Sequence, residues 1–172
     1  MKNQPNRNYK SDDVVMTPPD ICTAVVKHFA PSGSIMEPCS GSGNFVVAFN
    51  SYGLTDIVTC EITAGTNFLE YDGKHVDWII TNPPWSKIRE FLAKSFQVAD
   101  NIVFLITVNH IWTKLRYRMM RGAGFGLAEI CVFDAPKELN ASGFVCGLVY
   151  MKKGYVGDVK LTQLEGYELY KE

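Results

Sequence analysis

Long apolar runs are missing from this sequence. No stretch of about 18 consecutive apolar residues occurs, and the opening MKNQPNRNYKSDD contains no hydrophobic segment of leader length, so neither a spanning helix nor secretion is expected. A cytoplasmic location follows as the expectation. A surplus of positive charge is missing too: 17 Lys plus Arg stand against 18 Asp plus Glu, a net charge of −1. Any nucleic-acid contact must therefore come from a local basic patch and not from an overall positive field. Metal-binding signatures are absent as well. The five cysteines (Cys22, Cys39, Cys60, Cys131 and Cys146) are scattered through apolar surroundings, with no C-x-x-C and no histidine at metal spacing, which predicts reduced core thiols and no metal. There is no internal repeat.

What is present describes a globular chain. At 172 residues, 47% hydrophobic and 20% charged, it can bury a sizeable core as one domain, expected over 14–172 after a flexible segment at 1–13. Apolar runs at 34–37, 56–61, 76–81, 101–108, 128–133 and 144–151 read as strands. Between them, 19–29 carries Ile21, Ala24, Val25 and Phe29 at helical spacing, and 86–99 carries Ile88, Phe91, Leu92 and Phe96. This alternation predicts an α/β fold, a mostly parallel sheet covered by helices on both faces. The stretch 156–172 holds a short alternating segment and a polar tail.

The chemistry concentrates in three places. IMEPCSGSGNF, 35–45, is a short strand ending in Glu37, then a loop with Gly41 and Gly43, then a helix start; such glycines let backbone approach a ligand at the carboxyl edge of a sheet. The loop does not fit the dinucleotide fingerprint, since the third glycine is lacking and Pro38 intrudes. Glu61, at the tip of the next strand, offers carboxylate lone pairs suited to both hydroxyls of a ribose. Asn67 and Phe68 follow, an amide acceptor and an aromatic face that suit a purine. Most telling is DWIITNPPWSKI, 77–88, where a buried-type strand runs into two prolines that cannot continue a sheet. There Asn82 and the Pro83 carbonyl supply two acceptors, Pro84 stiffens the turn, and Trp85 presents a ring face. Together they describe a pocket for a planar group bearing an NH₂.

The order MTPPD, EPCSGSGNF, Glu61, TNFL and TNPPW resembles the S-adenosylmethionine-dependent amino-methyltransferases, in particular the DNA adenine-N6 type, over about residues 14 to 110. The resemblance implies a Rossmann-like methyltransferase fold and S-adenosylmethionine as cofactor. It also implies roles. Thr17 and the loop Glu37, Pro38, Ser40, Gly41 and Gly43 would hold the methionine part, Glu61 the ribose, and Asn67 and Phe68 the adenine. Asn82, next to the cofactor, and the Pro83 carbonyl would grip the target amine, and Trp85 would stack on the target base. Two departures matter: only five residues separate Glu61 from Asn67, so the fold is trimmed before the catalytic motif, and Asn67 stands where the family commonly has Asp.

Downstream, NHIWTKLRYRMMRGAGFG at 109–126 is the predicted nucleic-acid surface, with Lys114, Arg118 and Arg121 on one helical face beside Trp112, and Leu115 and Met119 pointing elsewhere. His110 is expected to be structural. The segment 134–144 offers only Phe144 as a second aromatic against a flipped base. The expected activity is methyl transfer to adenine N6 in nucleic acid, DNA before RNA, with no membrane role. RNA adenine, a protein glutamine amide, or a non-catalytic cofactor-binding subunit are the alternatives. A chain of this length leaves no room for a separate recognition domain, so low specificity or a specificity partner is expected.

Overall fold

The computed structural model of the chain describes residues 15–137, 139 and 145–169. The expected N-terminal segment 1–13 and the candidate Phe144 lie outside the described residues.

Helix α1, Pro19–Phe29, starts with proline in its first turn, where a missing N–H costs nothing, and buries Ile21, Cys22, Val25 and Val26. Strand β1, Ile35–Glu37, is buried along its length. Helix α2, Asn44–Ser51, leads to β2, Ile57–Thr59. Two 3₁₀ turns, Ile62–Ala64 and Phe68–Glu70, are all that separates β2 from β3, Val76–Thr81. The expected trimming is therefore real: no further helix or strand lies there. A third 3₁₀ turn, Trp85–Lys87, opens α3, Ile88–Val98, whose Ile88, Phe91, Leu92 and Phe96 are buried as their spacing predicts. Then come β4, Ala99–Thr107, helix α4, Lys114–Gly122, β5, Phe125–Val132, β6, Cys146–Lys153, and β7, Lys160–Gln163.

The seven strands form one sheet in the order β2-β1-β3-β4-β6-β5-β7. The first four pair in parallel, β6 runs antiparallel to both β4 and β5, and β7 is parallel to β5. Side chains of β4 alternate: Ile102, Phe104 and Ile106 pack with α3 and α4 on one face, Val103 and Leu105 with α1 and α2 on the other. Helices thus cover both faces, as a parallel sheet requires. From β1 the chain moves to β2 on one side and returns to β3 on the other. This switch point lies at the carboxyl ends of β1 and β3, the place where open α/β sheets hold their ligands.

Strand β5 begins three residues before the expected position and takes in Gly126. A Cβ there would lie 2.1 Å from the Tyr155 carbonyl oxygen, so glycine lets the chain after β6 cross the strand closely.

Candidate active site at the carboxyl edge of the sheet

The loop after β1 turns through Gly41 at φ 48° and Gly43 at φ 82°, both left-handed. Gly43 is the N-cap residue of α2. A Cβ on Gly41 would meet the Met16 sulfur at 2.5 Å, whereas one on Gly43 would meet nothing within 4 Å. Gly41 is therefore the close-approach residue, and Gly43 is needed for its backbone conformation. Residues 15–17 are laced over this loop. The Val15 carbonyl accepts from Asn82 Nδ2 at 3.2 Å, the Met16 sulfur accepts from the Ser42 N–H at 3.3 Å, and the Thr17 carbonyl accepts from Asn44 Nδ2 at 2.8 Å.

Beside the loop lies a cavity of about 360 Å³, lined among others by Pro38, Gly41, Glu61, Asn67, Phe68 and Asn82. A smaller cavity of about 30 Å³ adjoins Thr17, Glu37, Ser40 and again Asn82. The predicted cofactor residues thus divide between two connected neighbourhoods that share Val15, Met16, Cys39 and Asn82. Gly43 lines neither.

Glu61 stands at the lip with its carboxylate already engaged: Oε2 accepts from the Gly41 N–H at 2.8 Å, and Oε1 accepts from the Thr63 N–H at 3.0 Å and hydroxyl at 2.7 Å. The Thr63 bonds hold its pKa below the usual carboxylate value. Glu37 is the opposite case. Only 1% exposed, it accepts from the Cys39 N–H at 3.1 Å, and burial pushes its pKa up to about 8. A carboxyl so deprived of water ionises readily only when a cation comes beside it.

At the end of β3, Pro83 is buried and Asn82 half-buried. With Nδ2 committed to Val15, Asn82 keeps Oδ1 as its acceptor. The Cys39 thiol lies 2.9 Å from the Thr81 hydroxyl and donates to the Asn82 carbonyl at 3.3 Å, tying the glycine loop to this motif. Trp85 does not line the larger cavity. It is half-buried, packs against both core clusters, and has its ring centre 5.9 Å from that of His110. His110, with a pKa lowered by burial and by the Arg116 charge, is braced through its carbonyl by the Arg116 guanidinium at 2.8 Å.

Two residues of this lining also carry structural contacts. Phe68 is 2% exposed and packs on Phe91 at 5.2 Å, so it forms the cavity floor and part of the core. Asn67 caps the 3₁₀ turn by accepting from the Leu69 N–H at 3.1 Å, and its Nδ2 donates to Glu70 at 2.7 Å. Sequence reasoning missed Ile62, 66% exposed at the cavity edge, and Lys87, also on the lining. The signal for Ile62 was an apolar residue directly after the acidic strand end.

On α4, Lys114 and Arg118 are exposed, as is Trp112 just before it. Arg121 is less independent, since its guanidinium donates to the Phe125 and Tyr155 carbonyls at 3.4 Å each. Leu115, expected to point away from the basic stripe, is 54% exposed; Met120 is the helix's buried residue.

The fold is that of the Rossmann-like, class I S-adenosylmethionine-dependent methyltransferases. Similar solved structures include a Pyrococcus horikoshii protein assigned as an RNA methyltransferase, with TM-score 0.63, 14% identity, and 82% of this chain and 87% of that one covered. The M protein of the type I restriction enzyme EcoKI matches with TM-score 0.67 and 13% identity over 86% of this chain and 45% of its own. A Burkholderia thailandensis 1,6-didemethyltoxoflavin N1-methyltransferase, solved with S-adenosylhomocysteine bound, matches with TM-score 0.56 and 12% identity over 80% and 78%. No family model matches the sequence, and neither does any curated protein. This chain spans about half the length of the EcoKI subunit.

Proposed function

We propose that this chain is an S-adenosylmethionine-dependent methyltransferase acting on the N6 amine of adenine in nucleic acid, most readily DNA. The observation that carries this reading is the position of Asn82-Pro83-Pro84-Trp85 at the carboxyl end of β3, where Asn82 borders the same cavity as the glycine loop and Glu61. The residues fit the cofactor. Glu37, buried without a cation, suits the ammonium of the methionine part, Glu61 at the lip suits the ribose, and Ile62 with the Phe68 floor suits a flat apolar ring.

The cofactor supplies a methyl group on a sulfonium, which leaves as a neutral thioether. Everything else is positioning. An adenine N6 lone pair is delocalised into the ring and is a poor nucleophile; Asn82 Oδ1 and the Pro83 carbonyl accept its two hydrogens, favour a pyramidal nitrogen, and stabilise the positive charge that develops there. Once methylated, the amine would give up its surplus proton to water. A base in a duplex must first swing out of the stack. Trp85, steadied by His110, is the platform for it, and Lys114 and Arg118 supply phosphate contacts.

A second reading, the same chemistry on RNA, is favoured by the similarity to the protein assigned as an RNA methyltransferase. Labelled S-adenosylmethionine incubated separately with DNA, RNA and protein, followed by digestion to nucleosides, decides between them. Label in N6-methyl-2′-deoxyadenosine from DNA supports the first reading and label in N6-methyladenosine from RNA the second; label in no acceptor overturns both.

A further inference from the structure

Away from the cofactor cavity, three side chains from separate parts of the chain converge. We propose that His28, Glu129 and Cys131 form a binding site for a borderline-soft divalent cation of the zinc type. Their ligand atoms, a ring nitrogen, a carboxylate oxygen and Sγ, all lie within 4.8 Å of one another. The fold explains the convergence. Glu129 and Cys131 are two apart on β5 and so share a face, and His28 is the penultimate residue of α1, the helix whose buried side joins Cys131 in one core cluster.

The surroundings resemble those of a metal ligand set. Thr162 of β7, opposite Cys131 in the parallel register, donates its hydroxyl to Glu129 Oε1 at 2.6 Å. Such a bond orients a ligating carboxylate. His28 Nε2 also lies 2.6 Å from Oε1, a hydrogen-bond separation. Donors on a tetrahedral zinc at 2.0–2.1 Å sit roughly 3.3 Å apart, so an ion would replace the shared hydrogen and part the pair by less than about 1 Å. Binding through Oε2 would leave the Thr162 bond intact. Cys131 is fully buried, while the His28 and Glu129 side chains keep 21% and 14% of their surface exposed, giving the ion a solvent side for entry and for a fourth, water ligand.

The donor set selects the ion. One thiolate, one imidazole and one carboxylate suit zinc or cobalt and not magnesium or calcium, which take oxygen. None of the three residues lines the cofactor cavity, so the site does not depend on the methyl-transfer reading. Its consequence is mechanical: an ion there pins the end of α1, the helix packed beside α2, to the antiparallel half of the sheet.

Cobalt(II) is the probe. The full chain, stripped with chelator and kept reduced with a phosphine, should take up one equivalent and develop near-ultraviolet thiolate-to-cobalt absorption with visible tetrahedral bands. One equivalent of zinc should remove these bands; a large excess of magnesium should not. Cys131→Ser should abolish the charge-transfer absorption. Because that position is buried, His28→Gln serves as the second variant, with at least tenfold weaker cobalt binding and an unchanged circular dichroism spectrum. Cys60→Ser should keep the wild-type bands. Absence of a stoichiometric thiolate band in the wild type, its persistence at full affinity in His28→Gln, or its loss in Cys60→Ser would overturn the proposal and leave an ion pair beside a core thiol.

Discussion

Asn82 carries the sharpest expectation at the scale of single residues. Its Oδ1 interaction strengthens as charge develops on the amine nitrogen, so Asn82→Ala should slow single-turnover methylation by about 10²-fold or more while cofactor affinity changes little. A fully active variant would remove the assignment of the motif. Trp85 differs, because it both offers a ring and fills space between the two core clusters. Trp85→Ala should lose about 1–3 kcal/mol of base stacking and also lower thermal stability, whereas Trp85→Phe recovers most of both; substrate KM and melting temperature read the two components. Glu37 sets a pH dependence. Its folded pKa of about 8 lies above the usual value of 4.5, so the folded state holds the proton more tightly. The stability it contributes is full below pH 4.5, falls as pH rises towards 8, and is constant above, a change of a few kcal/mol in order of magnitude. Glu37→Gln should flatten that fall in denaturant titrations across this range. The same carboxyl ionises when a cation arrives, so cofactor affinity should rise with pH up to about 8 in the wild type and lose that dependence in the variant.

Among the elements, the glycine loop and α4 separate roles that looked alike in the sequence. Gly41→Ala drives a Cβ into the Met16 sulfur beside the cavity, so calorimetry should register at least a tenfold loss of cofactor affinity. Gly43→Ala meets no atom but keeps φ at 82°, and should instead cost about 1–2 kcal/mol of stability. On α4, reversing Lys114 and Arg118 together should lower the salt slope of DNA binding by about two and leave cofactor affinity unchanged, since phosphate contacts release counterions. Arg121 is best left out of that test. Its bonds to the Phe125 and Tyr155 carbonyls hold the turn into β5, and reversal would also destabilise the chain.

For the whole molecule, the three similar structures differ by their descriptions: a protein assigned as an RNA methyltransferase, the M protein of a type I restriction enzyme, and a methyltransferase of a small heterocycle. The shared sheet does not choose the acceptor. Among the described residues no helix is long and apolar enough to cross a membrane. The cavity proposed for the cofactor is walled by segments from residue 15 to residue 91, so a ligand there would tie several elements together. S-adenosylmethionine at 100 times its Kd should therefore add about 2.7 kcal/mol to unfolding stability, seen as a raised melting temperature.

The sequence by itself determined the elements whose information is local. Strand β3 has the expected bounds, helix α1 likewise, and the buried stripe of α3 follows its apolar spacing, because burial on one face imposes a period that can be read directly. The trimmed connection after Glu61 was equally legible, since five residues cannot hold a helix and a strand. The candidate site was legible as motifs but not as contacts. Phe68 and Asn67 both line the cavity, but their further contacts were not legible: Phe68 also packs on Phe91 and Asn67 also caps a turn, outcomes fixed by neighbours distant in the chain or by local hydrogen-bond competition. The start of β5 at Phe125 was not legible either, because the close pass of the Tyr155 carbonyl over Gly126 depends on residues distant in the chain. Likewise, spacing along the chain offered no metal ligands, and only the packing of α1 against β5 brings His28 to Glu129 and Cys131 across about a hundred residues. Local periodicity is written in consecutive residues; convergence of distant side chains exists only once the sheet is assembled.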